Sequence, residues 1–260
     1  MNPKLSVCIA AFLVASCNGS PDMEDAPAGS PSAEAENKPR LGLFTSLPIY
    51  WGEGGDIAAM LDDESEPDWV RTELEREFEI VPLDTLEAEA LDGLEIVFLP
   101  QPRALAPSEN VAFDVFLANG GTAVIMADPL LTRHSHFALG DRRRPEDVAL
   151  LSPILARLGV ELRFDESQSA GERIVLIDGV ATPVNQAGRL AGIQSDASPD
   201  GCDIEDEAGL KARCPRGTGV AYIFADAAVL DWESDQGAVP QARIAALRAV
   251  LAPLRQATAR

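Results

Sequence analysis

Residues 95–129 read EIVFLPQPRALAPSENVAFDVFLANGGTAVIMADP. Glu95–Leu99 is a short apolar run that Pro100 and Pro102 stop. A strand apolar on both faces belongs in a sheet covered by helices on both sides. Ser108 can cap a helix running to Leu117, which Asn119-Gly120-Gly121 ends. Thr122–Ala127 is a second buried strand. Strand, helix and strand in succession make a right-handed unit with parallel strands.

The same alternation extends both ways. Leu41–Thr45 reads as a buried strand, and Trp69–Phe78 as a helix with an apolar face at Trp69, Val70, Leu74 and Phe78. Glu79–Leu83 follows as an edge strand, because Pro82 cannot donate to a ladder. Downstream, Pro145–Leu158 is expected as a helix stopped by Gly159, and Val160–Phe164, Arg173–Ile177 and Gly219–Ala225 as strands. Pro240–Leu254 is a closing helix that Pro253 should shorten. The fold expected for residues 41–260 is therefore α/β, a single doubly wound, mostly parallel sheet. Asp178–Pro215, polar and rich in Gly and Asp, is expected as a β-hairpin excursion.

The N-terminal forty residues read differently. Residues 1–16 hold one cation, Lys4, then an uncharged run from Leu5 to Ala15. That run is too short to span a bilayer and fits a secretory signal peptide. Val14-Ala15-Ser16-Cys17 resembles the bacterial lipobox, which implies that Cys17 is acylated and becomes the new N-terminus. Residues 18–40 contain no Val, Ile, Leu, Phe, Trp, Tyr or Cys, so with Cys17 they read as a lipidated, disordered tether. The expected location is the periplasmic side of a bacterial cell envelope, held to the membrane by a lipid anchor.

Forty-two acids against 21 Lys and Arg leave a formal charge of −21. A surface of that sign argues against a nucleic-acid partner.

Three stretches in their order resemble the class I glutamine amidotransferase-like, flavodoxin-like domain: LGLFTSLPIYWGEGGD (41–56), the 95–129 segment, and GTGVAYIFADAAVLD (217–231). More narrowly they resemble the GldG-like auxiliary proteins of ABC-type transport systems, whose permease and ATPase subunits the resemblance implies as partners. In the amidotransferases a nucleophilic cysteine follows the strand matching Thr122–Ala127. Here the turn is Ala127-Asp128-Pro129, and Pro129 supplies no N–H for an oxyanion hole. The resemblance thus implies a scaffold without catalytic residues, and no cofactor is expected.

Cys202 and Cys214 flank a plausible hairpin turning near Glu207-Ala208-Gly209, and in an oxidising compartment they should form a disulfide. Thr132–Arg144 (TRHSHFALGDRRR) carries both histidines of the chain and four arginines beyond the presumed C-terminal end of a strand. Open α/β sheets bind ligands at that edge. Arg133, His134, His136, Arg142, Arg143 and Arg144, with Asp128, Tyr50 and Trp51, are therefore candidates for a ligand- or partner-binding surface. The arginines suit an anion, yet Asp141, Glu146 and Asp147 lie close enough in sequence to neutralise them. His134 and His136 with Asp128 could instead ligate a metal in a hydrolase, although the spacing matches no established motif, and no metal is assigned. Gly52-Glu53-Gly54-Gly55-Asp56 lacks the third glycine of a dinucleotide loop, and its acids would repel phosphate. Trp69 and Trp232 read as core. The auxiliary subunit is the favoured function, with a stand-alone solute or glycan binder as the alternative.

Overall fold

In a computed structural model that describes residues 38–52, 67–198, 201–233 and 236–259, the chain opens on strand β1, Arg40–Leu43. The signal segment 1–16, Cys17, most of the tether, and the Glu53 and Asp56 positions lie outside the described residues. The compact unit runs from Lys38. Lys38 Nζ donates to the Glu75 carbonyl at 2.6 Å, and the Pro39 carbonyl accepts from Glu79 N, so the last tether residues join the domain. No helix among the described residues is long and apolar enough to cross a membrane.

Helix α1 (Trp69–Glu77) leads to β2 (Glu79–Pro82), and the short α2 (Ala88–Leu91) to β3 (Ile96–Pro100). Helix α3 (Pro107–Ala118) leads to β4 (Thr122–Met126). After a long excursion come β10 (Lys211–Arg216) and β11 (Gly219–Phe224). Helices α5 (Gln241–Val250) and α6 (Ala252–Thr258) close the chain. The result is a seven-stranded mixed sheet in the order β2-β1-β3-β4-β11-β10-β9, where β9 is Asp203–Ile204. The first five of these are parallel, and β10 and β9 add on as antiparallel neighbours.

Alternate side chains of the strands enter two separate cores. Leu41, Leu43, Ile96, Phe98, Val124 and Met126 pack with Val70 and Leu74 of α1 and with Leu247 and Leu254. Val97, Leu99, Ala123 and Ile125 pack with Phe113 and Leu117 of α3 on the other side. Both faces of the sheet are thus covered, which is why these strands are apolar throughout. Gly42 sits where a Cβ would come within 2.8 Å of Leu94 Cδ1, so the second face leaves no room for a side chain in β1.

Several elements depart from the sequence reading. Ser108 does not cap α3; it donates to Glu87 Oε1 at 2.6 Å. Pro107 occupies the first turn, and Glu109 closes the helix start by accepting from Ala106 N at 2.7 Å. The helix expected over 145–158 is only Ser152–Leu158 (α4). Residues 146–149 instead run beside 128–131: Leu131 N donates to the Asp147 carbonyl and Ala149 N to that of Asp128. Pro153 has no N–H, so it fits the first turn of a helix and not its middle. Likewise Pro253 opens α6, so the closing helix is two.

Strands β5 (Val160–Arg163) and β6 (Arg173–Ile177) stay outside the main sheet. The link between them is too short for the crossover that parallel pairing requires. Instead β5 pairs antiparallel with β8 (Arg189–Gly192), and β6 with β7 (Val180–Val184). The region 178–215 is therefore several short strands, not one hairpin. Its last part does turn near Asp206–Gly209 between β9 and β10, and the Cys202–Cys214 disulfide ties that hairpin with a Cα separation of 4.2 Å.

Candidate functional site

The C-terminal ends of β1, β3, β4 and β11 share one edge of the sheet, and a buried polar lattice holds the loops that leave them. Gln101, just past β3, is fully buried at φ 43°, a left-handed conformation unusual for a residue with a side chain. Its Nε2 donates to the carbonyls of Asp128 (3.1 Å) and Glu146 (2.9 Å), and its Oε1 accepts from Asp128 N (2.8 Å). Ser46 Oγ donates to the Gln101 carbonyl and accepts from Glu146 N. One glutamine thereby joins the loops after β1, β3 and β4.

Beside it stand two buried acids. Asp128 follows β4 and Asp226 follows β11, and the register pairs Met126 with Phe224, so each acid lies two residues beyond that pair. The Asp128 carboxylate accepts from Leu130 N (2.9 Å) and Ala227 N (3.0 Å). That of Asp226 accepts from Asn185 N (2.9 Å) and Ala228 N (2.7 Å). Burial raises the Asp128 carboxyl to about 6, with the charge of Asp231 adding to the rise. Burial, and then the charge of Asp128, push Asp226 well above the usual aspartate range. Asp231 is raised as well, chiefly by burial, against the pull of Arg133.

Above this lattice opens a groove of about 960 Å³. Pro48 and Gly52 reach it from the loop after β1, and Asp68 and Trp69 from the start of α1. The loop after β4 brings Arg133, His134 and His136, and the segment after β11 brings Trp232 and Glu233. The groove thus collects both histidines and two of the three tryptophans of the chain. Asp68 caps α1 by accepting from Val70 N at 2.8 Å and pairs with Arg133 at 3.2 Å, both side chains being largely buried. Burial nevertheless raises the Asp68 carboxyl, with Arg133 opposing. The imidazoles of His134 and His136 meet edge to face at 5.5 Å. The indole N–H of Trp232 donates to the Gly237 carbonyl, while that of Trp69 is buried without an acceptor among the described residues. Behind Trp232, the buried Arg243 lies 5.3 Å from the ring and binds Glu172 and the Ala228 carbonyl.

Three of the expected surface residues, Arg133, His134 and His136, therefore come together. Tyr50 is partly buried beneath the Arg71 guanidinium, 4.3 Å from its ring, and Trp51 stacks edge-on against it, 71% exposed. Arg143 and Arg144 turn away to pair with Asp141 and Asp147, as the neighbouring acids suggested. Arg142 is exposed outside the groove. The expectation for Asp128 is corrected: it is 1% exposed, and its two oxygens already accept backbone N–H groups. It neither faces a partner nor stands ready as a base or ligand beside His134. Among the described residues no three His, Cys, Asp or Glu side chains are grouped to hold a metal.

Trp69, read as core, does pack against it and also lines the groove, whereas Trp232, read the same way, lines the groove outside either core. Asp226, which the sequence reading missed, had a signal: Ile-Met-Ala-Asp ends one strand and Ile-Phe-Ala-Asp another, at 125–128 and 223–226.

No protein-family model and no curated protein sequence matches the chain. Partial structural likenesses include the exo-β-1,4-mannosidase Op5Man5 from Opitutaceae bacterium strain TAV5, at 14% identity over 84% of this chain and 36% of that one, TM-score 0.48. The β-galactosidase from Bacillus circulans sp. alkalophilus is 13% identical over 85% of this chain and 31% of its own, TM-score 0.45. The mmIFT52 N-terminal domain is 12% identical over 85% of this chain and 97% of its own, TM-score 0.45. The chain spans about a third of the length of these two glycosidases.

Proposed function

We propose that this chain is a membrane-tethered, non-catalytic binding component of an ABC-type transport system. In this reading it is a GldG-like auxiliary on a flavodoxin-like, amidotransferase-like scaffold, held at the periplasmic face of the envelope by acylated Cys17. The observation that carries the reading is the end of β4. Where the amidotransferase resemblance places a nucleophile, this chain has a buried carboxylate tied to Leu130 N and Ala227 N, followed by Pro129. Those hydrogen bonds tie the turn to the loop after β11, which supports a scaffold role for it. The groove next to it supplies a binding face at the sheet edge where open α/β folds take ligands.

Affinity purification of the full-length tagged chain from native membranes in mild detergent, with mass spectrometry of what co-purifies, tests this. An ATPase and a permease should come with it. Their consistent absence would sink the transport reading and favour a stand-alone periplasmic binder, which the groove supports by itself.

A further inference from the structure

We infer that the groove after β4 and β11 binds an uncharged saccharide chain; the inference rests on reading this chain as a binding component and names the ligand class of that site. Three observations combine.

The groove is large for one small molecule, at the upper end of the ~300–1,000 Å³ of small-ligand sites, so it suits an elongated ligand. Its rare residues are of a kind. Trp69 and Trp232 offer flat apolar surface, and the exposed His134 offers ring nitrogens that can donate or accept. A sugar ring presents the same two faces, C–H surface and hydroxyls that donate and accept.

Charge weighs against an anion, and an arginine already occupies one aromatic ring. An anion would meet Glu233 in the lining and Asp231 close to it, on a chain of net charge −21. The one arginine of the lining, Arg133, is already paired with Asp68. A cation seeking an aromatic face would find Arg243 already against the Trp232 ring, and Arg133 nearby. A neutral, hydroxyl-rich ligand fits this lining.

The test is calorimetric titration of the full-length chain in detergent with neutral hexasaccharides (malto-, cello- and mannohexaose), beside spermine and a sulfated oligosaccharide. Tryptophan fluorescence serves as a second readout. At least one neutral hexasaccharide should bind saturably and the two charged probes should not. Trp232→Ala should weaken that binding about tenfold, the loss of one aromatic contact. Because Trp232 also covers Arg243, His134→Ala, at an exposed position, is the second variant and should weaken binding severalfold. Leu176→Ala, exposed on β6, should leave it unchanged.

Folded protein that binds none of the neutral probes overturns the inference. So does preference for a charged probe, or binding indifferent to both groove variants. Affinity purification of His134→Ala from native membranes separates the two levels. Transporter subunits recovered without any saccharide binding would defeat only the ligand assignment. Groove-dependent saccharide binding without transporter subunits would defeat only the transport reading.

Discussion

Replacing Asp128 by Asn should flatten the dependence of stability on pH. The wild-type carboxyl is buried and moved from the usual 3.8 to about 6. An acid whose value is raised by folding binds its proton more tightly in the native state. Its contribution to stability is therefore complete below about pH 4 and is lost as pH rises through 6. At ~1.4 kcal/mol per pH unit the whole loss is about 3 kcal/mol, of which about 2 kcal/mol falls between pH 4.5 and 7. Asp226, Asp231 and Asp68 are raised in the same direction and steepen the wild-type decline. Asparagine does not titrate, but its amide nitrogen would face Leu130 N or Ala227 N. That mismatch lowers stability by about 1–3 kcal/mol at every pH. The decisive quantity is thus the difference in slope, not the absolute stability. Urea unfolding of the full-length chain at half-unit steps from pH 4.5 to 8, followed by tryptophan fluorescence, measures it. Wild type should lose about 2 kcal/mol more than the variant across the window. Parallel curves would refute the buried-acid reasoning.

Three further outcomes are expected. Cys202→Ser with Cys214→Ser should lower stability by about 3 kcal/mol by releasing the loop the disulfide closes, read by denaturant unfolding with and without reductant. Gly219→Ala would drive a Cβ into the carbonyl oxygens of Gly121 and Leu117, so it should destabilise by about 3 kcal/mol or fail to accumulate as soluble protein. Glu109, held to about 2 chiefly by its hydrogen bonds from Arg103, contributes stability that is present above about pH 4.5 and lost as pH falls toward 2; Glu109→Gln should cost about 1–3 kcal/mol at pH 7, and less at pH 3, by thermal unfolding.

The sheet was legible because its central strands are apolar on both faces and are stopped by Pro or Gly, features that local physics reads directly. Partner choice was less so. Arg173–Ile177 looks as apolar as Glu95–Leu99, yet Ile174 and Leu176 face outward, because the strand pairs only with β7 in a two-stranded ribbon outside the main sheet. The helix expected from Pro145 failed because tertiary hydrogen bonds claim the backbone of residues 146–149. At the site, the loop with both histidines stood out by composition, and the structure does bring Arg133, His134 and His136 to one groove. Trp69 and Trp232 did not stand out, since an aromatic residue beside an apolar run has the same pattern whether it fills a core or walls a cleft. Asp226 was hidden for another reason. A lone acid after a strand looks like a solvated loop until the register sets it across from Asp128.

The membrane-tethered partner of a transporter is the central claim, and site-specific photocross-linking in native membranes reaches it most directly. A photoreactive residue at Arg143, exposed on the loop beyond β4, should form adducts with the permease of an ABC-type system. Adducts confined to unrelated envelope proteins, or none from a folded and acylated chain, would contradict it.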